Sequence, residues 1–463
     1  MRERTCLIAA ALGGLLACGL LACGQGATNA PQPPPAAEPP RAAVPAPAAA
    51  APAAAPPVTT PTPEPSTATT DVEKALAYDP ADPLGDLESA DALDRMGQGS
   101  ARPVTPPKGG CAVQDAGRRV WPAPGPVTID ALPRGFVVAG YALRDGHDQV
   151  YVVRVGDDGK PEPVTAFDVD PPHTQKRLAP PGLGARDDSA VLLAVVDGAG
   201  KLSARSLHMG PGGGGPKLEL ASSVDTRFAP AVAYSETRAL VAYTTASTPM
   251  RAKLVVLSNM GSIVGTHDVT PESMGAAAVT FVHGASPPAL LAVDAREGLS
   301  PLLRIDLGSD GTPKPAEVVL PLSTVSTPPR LSGASSSIGA HVLYTGMGSA
   351  ATSAVGLVSI EPIVGRPSAF VPGTGYGALH VATAAAPAAV VLVAEAPTAP
   401  AKDAPREIHV ALVTRKGQSK DLVLPAPGGA SHSSVARDAH GTVAIAWSSP
   451  SGVYLARLRC DDE

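Results

Sequence analysis

Aromatic side chains are scarce, with 2 Trp, 8 Tyr and 5 Phe in 463 residues. The core must therefore be built from Val, Leu and Ala, and broad stacking platforms for bases are excluded. Positive charge is not in excess either: 36 Lys and Arg face 42 Asp and Glu, a net charge of -6. That balance leaves no footprint for nucleic acid or for an anionic lipid surface. Catalytic signatures are missing too, since no GxSxG elbow, HExxH helix or phosphate-binding P-loop occurs. The ten histidines, at 147, 173, 208, 267, 283, 341, 380, 409, 432 and 440, never fall two or four positions apart. No single strand or helix therefore offers a ready pair of imidazole ligands.

What is abundant begins at the N-terminus. Arg2 and Arg4 precede an apolar run from Leu7 to Ala22, the charge-then-apolar layout of a secretory signal. The run ends in Leu20-Leu21-Ala22-Cys23, which resembles the lipobox of bacterial lipoproteins. This resemblance implies a signal peptide over 1–22, cleavage before Cys23 and a lipid on the Cys23 thiol. An earlier copy, Leu15-Leu16-Ala17-Cys18, makes Cys18 the competing attachment site. An uncleaved signal anchor is the other alternative, because the run approaches the length of a membrane span. Gly24 and Gln25 follow the Cys in place of an Asp, so the resemblance implies an outer-membrane lipoprotein facing the periplasm or the cell surface.

Residues 23–70 read as a disordered Pro/Ala-rich stalk, with 14 Pro between 31 and 70. Such a chain has almost nothing to bury, and fully extended its 31–70 portion would reach about 120 Å. Residues 71–110 read as an acidic linker. Between Asp71 and Met96, eight carboxylates face only Lys74 and Arg95, while Leu84, Leu87, Ala90 and Leu93 recur every three residues and can line a short helix. The rest of the chain is consequently near neutral.

From Cys111 to Glu463 the pattern is all-β: short Val, Ala and Leu runs alternate with Gly, Pro, Asp and Ser clusters. An apolar strand, a polar turn and a second apolar strand recur with starts at Gly135, Ser189, Arg238, Pro288, Gly339, Ala388 and Gly441. The intervals are 54, 49, 50, 51, 49 and 53 residues, the length of a four-stranded propeller blade. Further strand candidates precede each hairpin, as at Ala229–Tyr234, and six hairpins are followed by a fourth, as at Asp421–Leu424. The last unit has no fourth strand after Leu458, whereas Arg118–Trp121 is a strand candidate without a unit. Pairing the two would seal a ring and remove an exposed edge.

Once Cys23 carries lipid, Cys111 and Cys460 are an even pair flanking the strands that must meet. In an oxidising compartment that points to a disulfide, with two free buried thiols as the alternative. Units reading Pro230-Ala-Val-Ala-Tyr-Ser then Ala239-Leu-Val-Ala-Tyr, and Ser434-Val-Ala-Arg-Asp-Ala-His-Gly then Val443-Ala-Ile-Ala-Trp, resemble the repeats of secreted seven-bladed β-propellers of bacterial envelopes. The expected domain is thus a seven-bladed β-propeller over 111–463, closed by N- and C-terminal strands. A β-sandwich array is the rival architecture.

Chemistry is harder to find. Ser309-Asp-Gly-Thr312 lacks the spacing and the Trp of a sialidase Asp-box and reads as a turn, and Gly210–Gly215 lacks the Lys and the helix of a phosphate cradle. Asp157, Asp158, Asp187, Asp188 and Asp197 read as solvated turn residues. Asp168-Val-Asp170 runs into two prolines and does not continue as a calcium loop, while His432 and His440 with Asp438 read as turn residues around one strand. No catalytic residue, metal ligand or cofactor is assigned. The resulting expectation is a noncatalytic binding or scaffold propeller of the cell envelope. It would be monomeric, held to the membrane by lipid, and free to bind a protein or glycan on a loop face, with no nucleic acid partner. The alternative is a glycan hydrolase or lyase with its site in the central channel. Labelling with a palmitate analogue should disappear in Cys23→Ser; label that persists there and disappears in Cys18→Ser would move the anchor to Cys18.

Overall fold

The computed structural model describes residues 105–461 apart from 145–146, 174–178, 211–212, 260, 272–277, 294–297, 325–329, 348–353, 372–379, 400, 402–403 and 427. The signal peptide, Cys18, Cys23, the stalk and the acidic helix lie outside the described residues. Among those residues the structure is all-β, without helices.

Strand β1 (Cys111–Trp121) precedes a succession of antiparallel meanders. The first comprises β2 (Val127–Ala131), β3 (Phe136–Arg144), β4 (His147–Val155) and β5 (Pro161–Asp168). Next come β6 (Gly182–Asp187), β7 (Ala190–Val196), β8 (Leu202–Leu207) and β9 (Leu218–Ala221), then β10 (Ala231–Tyr234), β11 (Arg238–Thr244), β12 (Ala252–Ser258) and β13 (Ile263–Asp268). These are followed by β14 (Ala278–His283), β15 (Ala289–Val293), β16 (Gly298–Asp306) and β17 (Glu317–Thr324), and by β18 (Leu331–Ser336), β19 (Gly339–Met347), β20 (Ala354–Glu361) and β21 (Ile363–Val371). The chain continues through β22 (Val381–Ala386), β23 (Ala389–Pro397), β24 (Arg406–Thr414), β25 (Gly417–Gln418) and β26 (Leu422–Leu424), and ends with β27 (Ser431–Arg437), β28 (Thr442–Ser449) and β29 (Gly452–Cys460).

The hairpins visible in the sequence are the second and third strands of these meanders. They are sandwiched between neighbouring sheets and so read as unbroken apolar runs; β7, Ala-Val-Leu-Leu-Ala-Val-Val, is buried along nearly its whole length. Outer strands such as β13 are mostly exposed. First strands touch in a circuit: β2 with β6, β6 with β10, β10 with β14, β14 with β18, β18 with β22, β22 with β27, and β27 with β2. Glycine permits part of this approach, since a Cβ on Gly182 would lie 2.4 Å from the Pro230 carbonyl oxygen and one on Gly184 2.6 Å from Val232 Cγ1. Strands β14 and β18 even pair in parallel, Val282 opposite Gly333 and His283 opposite Ala334, which merges two meanders into one eight-stranded sheet. Each meander also packs its flat faces on its two neighbours through Val, Leu, Ile and Ala. This radial layout of antiparallel sheets is that of a β-propeller, and it replaces the sandwich alternative.

The sheet that joins the two ends has the order β1-β29-β28-β27. Its β1 strand is eleven residues long, not the four residues Arg118–Trp121, and it puts Val113 opposite Leu458 and Arg118 opposite Leu455. Bulges take up the extra length; in one of them Gly117 has φ +142°, and a Cβ there would lie 2.8 Å from the Trp447 ring. Both tryptophans of the chain belong to this sheet, Trp121 on β1 stacking on Tyr151 at 4.3 Å and Trp447 on β28 stacking on Tyr454. Each is almost wholly buried, on opposite sides of the sheet, in the cores shared with the two flanking meanders. The buried Arg457 adds a polar bolt: its Nη1 donates to the Asp157 carbonyl at 2.6 Å, and Asp115 lies 3.7 Å away.

Cys111 and Cys460 are bonded, with Cα atoms 4.0 Å apart and a sequence separation of 349. A loop of that length gives an entropic stabilisation with a ceiling of about 5–6 kcal/mol. Mass spectrometry without reductant should find the Cys111–Cys460 peptide, and Cys111→Ser should lower the thermal midpoint by several degrees. Two alkylatable thiols in native protein, with an unchanged midpoint, would contradict the clasp.

Candidate functional site

The inner strands enclose a cavity of about 180 Å³, lined by residues from β2, β6, β10, β14, β18, β22 and β27 and the segments leading into them. It is smaller than pockets for drug-sized ligands, roughly 300–1,000 Å³, so it takes one unit of a larger ligand and not a whole one. Small side chains keep it open: Ala231, Ala278, Ala382 and Thr383 all face it. One layer is closed by a polar stitch between strands, where Ser332 Oγ accepts the Thr383 N–H at 3.0 Å and lies 3.0 Å from its hydroxyl.

Polar chemistry concentrates at the end where β18, β22 and β27 begin. Arg330 immediately precedes β18, His380 immediately precedes β22 and His432 is the second residue of β27; all three are half-buried in the cavity wall. His432 adopts φ +56°, a left-handed conformation that costs energy in most residues and clusters at functional positions. Its ring centroid is 4.4 Å from that of His380, tilted 48°. Burial holds the His380 imidazole well below its ordinary value of 6.5, and His432, Arg330 and Arg406 act in the same direction. At neutral pH His380 is therefore an uncharged base.

Behind this pair lies Glu395, a fully buried carboxylate on β23. It accepts the Ser433 N–H at 2.5 Å, sits 3.7 Å from Arg406 Nη1, and its own N–H donates to the His380 carbonyl at 3.1 Å. Glu395 thereby fastens β22, β24 and β27 to one another. Burial raises its carboxyl above the ordinary range, against the opposing pull of Ser433, Arg406 and Arg330. Arg330 donates from Nη1 to the Arg227 carbonyl at 3.1 Å, whereas its buried Nε has no hydrogen-bond partner among the described residues. The neighbouring Arg227 is itself clamped by Asp225, Nη2 to Oδ2 at 2.6 Å and Nε to Oδ1 at 3.0 Å.

Elsewhere in the cavity wall, Asp130 on β2 accepts N–H groups from Ala185 at 2.7 Å and Ala131 at 2.8 Å. Desolvation still pushes it up to about 6. His283, on β14, also faces the cavity, and burial lowers its imidazole.

Residues considered from sequence are placed differently. His432 is a wall residue of the cavity and not a solvated turn residue, because β27 carries it inward. His440 stays exposed in the β27–β28 turn, where Asp438 is buried and accepts the His440 and Thr442 N–H groups. Asp197 is likewise buried, accepting from Ala199 and Lys201 in a tight turn, so it is not a solvated residue. Asp310 does form the expected turn, bonding the Thr312 N–H. Asp168 is taken up by Gln149 Nε2 at 2.9 Å. Among the described residues no group of three or more His, Cys, Asp and Glu is arranged to hold a metal ion. Sequence inspection missed Arg330, His380 and Glu395. The available signal was repeat phase: Arg330, His380 and His432 are 50 and 52 positions apart, at nearly the same place in successive units.

Because folding lowers the His380 imidazole, the unfolded chain binds more protons below 6.5 and acidification costs stability there. His283 and His341 act in the same sense, while His409, Asp130 and Glu395 are raised and oppose it. The clean observable is a difference: between about pH 7 and about pH 5, His380→Asn should lose less stability than the native chain. Identical pH profiles by thermal unfolding would contradict a buried, neutral His380.

No protein-family model matches the chain, and neither does any curated protein. Among solved structures it is similar to an endo-arabinase from Bacteroides thetaiotaomicron VPI-5482, with 14% identity over 62% of this chain and 95% of that one and a TM-score of 0.33. It is also similar to the subtype N11 neuraminidase-like protein of A/flat-faced bat/Peru/033/2010 (H18N11), with 10% identity over 78% and 95% and a TM-score of 0.43. AofleA from Arthrobotrys oligospora gives 11% identity over 66% and 87%, with a TM-score of 0.42. Similarity this slight carries no weight for activity, which has to be read from the chain's own residues.

Proposed function

We propose that this chain is a seven-bladed β-propeller of the cell envelope that acts on a glycan, taking one sugar unit into its central cavity beside His380. The seven-blade reading groups β2–β5, β6–β9, β10–β13, β14–β17, β18–β21 and β22–β26 as six, with β27–β29 and β1 as the seventh, and it divides the eight-stranded sheet at the β14–β18 pairing. Tethering through lipidated Cys23 and the Pro-rich stalk would hold this propeller at the outer membrane, where glycans are the abundant extended polymers.

The observation that carries the glycan reading is the His380–His432 pair set in the wall of a cavity of sugar-unit scale. A neutral imidazole in a cavity can take a proton from an attacking water as its oxygen bonds to the sugar carbon, or from the carbon next to the breaking C–O bond as a C=C forms, while a protonated neighbour gives its proton to the leaving oxygen. Hydrolysis by two facing carboxylates fits less well, since Glu395 is fully buried and paired with Ser433 and Arg406, and Asp130 is taken up by the Ala185 and Ala131 N–H groups. That same engagement of Glu395 supports a second reading, a noncatalytic glycan-binding module whose polar residues only hold the ligand.

Incubating the full chain with a panel of polysaccharides separates these readings. Shortened chains should appear with at least one polymer, and His380→Asn should slow their release by about 100-fold or more while binding changes little. Binding without shortening would favour the noncatalytic module. Neither binding nor shortening across the panel would overturn both.

A further inference from the structure

We infer that the cavity entrance selects saccharides carrying an anionic group, a carboxylate or a sulfate, and that the Arg330 guanidinium receives it; this rests on the glycan reading above. The charges at the entrance do not cancel. Among the described residues, the Glu395 carboxylate behind the wall is committed to the Ser433 N–H and to Arg406. Asp225 is committed to Arg227, which donates to it from Nε and Nη2. Arg330 donates from Nη1 to the neutral Arg227 carbonyl, which satisfies one donor and neutralises no charge; burial lowers the guanidinium pKa, and Glu395, which it does not touch through a hydrogen bond, opposes that only through space. The Arg330 Nε is buried with no hydrogen-bond partner among the described residues.

A guanidinium removed from water without a committed counter-ion is costly, and an oxyanion presenting two acceptors to its planar fork offsets that cost best. The neighbouring His380 and His432 bring no negative charge to do so. Asp130, on the neighbouring β2 strand, is committed to the Ala185 and Ala131 N–H groups, and Arg330 is the one Lys or Arg among the residues that line the cavity, so it is the cation an anionic sugar unit meets beside His380.

Equilibrium binding of the full chain to three oligosaccharides of equal length tests the inference: an oligogalacturonate, a sulfated carrageenan fragment and a neutral xylan fragment. One or both anionic fragments should bind about tenfold or more tightly than the neutral one. Arg330→Gln should abolish that preference, and Arg330→Lys should keep part of it, since a point charge replaces the fork. Inorganic sulfate should displace the anionic fragment from the native chain, a readout that needs no variant to fold. Which anionic fragment binds tighter distinguishes carboxylate from sulfate. Equal affinity for neutral and anionic fragments, or a preference that survives in Arg330→Gln, would overturn the inference and leave the glycan reading standing. Failure of all three fragments to bind would remove both.

Discussion

Everything in this fold depends on the seam where β1 lies against β29. A set of antiparallel sheets packed face to face gains nothing from being circular unless the last sheet is held against the first, and an open ring would expose both a sheet face and a strand edge. The chain concentrates its strongest available contacts at that seam. With only 2 Trp in the sequence, both are in the closing sheet, one facing each neighbour. The disulfide lies there as well, and so does Arg457, which reaches across to the turn between β4 and β5. Elsewhere the blades meet mostly through Val, Leu, Ile and Ala, with scattered Phe or Tyr side chains and no Trp, a packing that fills space well but does little to single out where the circle should end.

The seam and the cavity are mechanically linked. Strand β27, the innermost strand of the closing sheet, carries His432 and Ser433, while His380 and Glu395 belong to the preceding sheet. The Ser433 N–H to Glu395 bond and the His380–His432 ring contact both cross that boundary. Seating the closing sheet therefore assembles the polar end of the cavity, and loosening it would separate the two imidazoles. The buried carboxylate has a positioning role: Oε1 accepts the Ser433 N–H, Oε2 faces Arg406 at 3.7 Å, and the Glu395 N–H holds the His380 carbonyl, so three strands are tied together at this point.

Much of the architecture is legible in the sequence because burial on both faces leaves a plain mark. Strands such as β7, β15 and β23 are unbroken apolar runs, and their recurrence sets the blade length. Strand β1 is less visible, since Gln114, Asp115 and Gly117 interrupt its apolar character at the bulges; only Arg118–Trp121 stands out as a strand. The cavity residues are harder still. Arg330, His380 and His432 belong to separate units, and convergence on an axis leaves no local motif. Two traces exist nonetheless: their spacing follows the repeat, and Glu395 is a lone charge in the run from Ala389 to Pro397, where a solvated residue has no reason to be. Asp197 and Asp438 show the converse limit, since a turn aspartate reads the same whether its carboxylate faces water or backbone N–H groups.

The most direct test of the closure account is native-state hydrogen exchange across the seam. If β1 is integral to the ring, the amides of Val113 to Val120 that pair with β29 should exchange as slowly as those of β28 and β29, through global unfolding alone. Fast exchange of β1 through a local opening that leaves β27 to β29 protected would mean that the ring stands without its clasp, and would contradict the account.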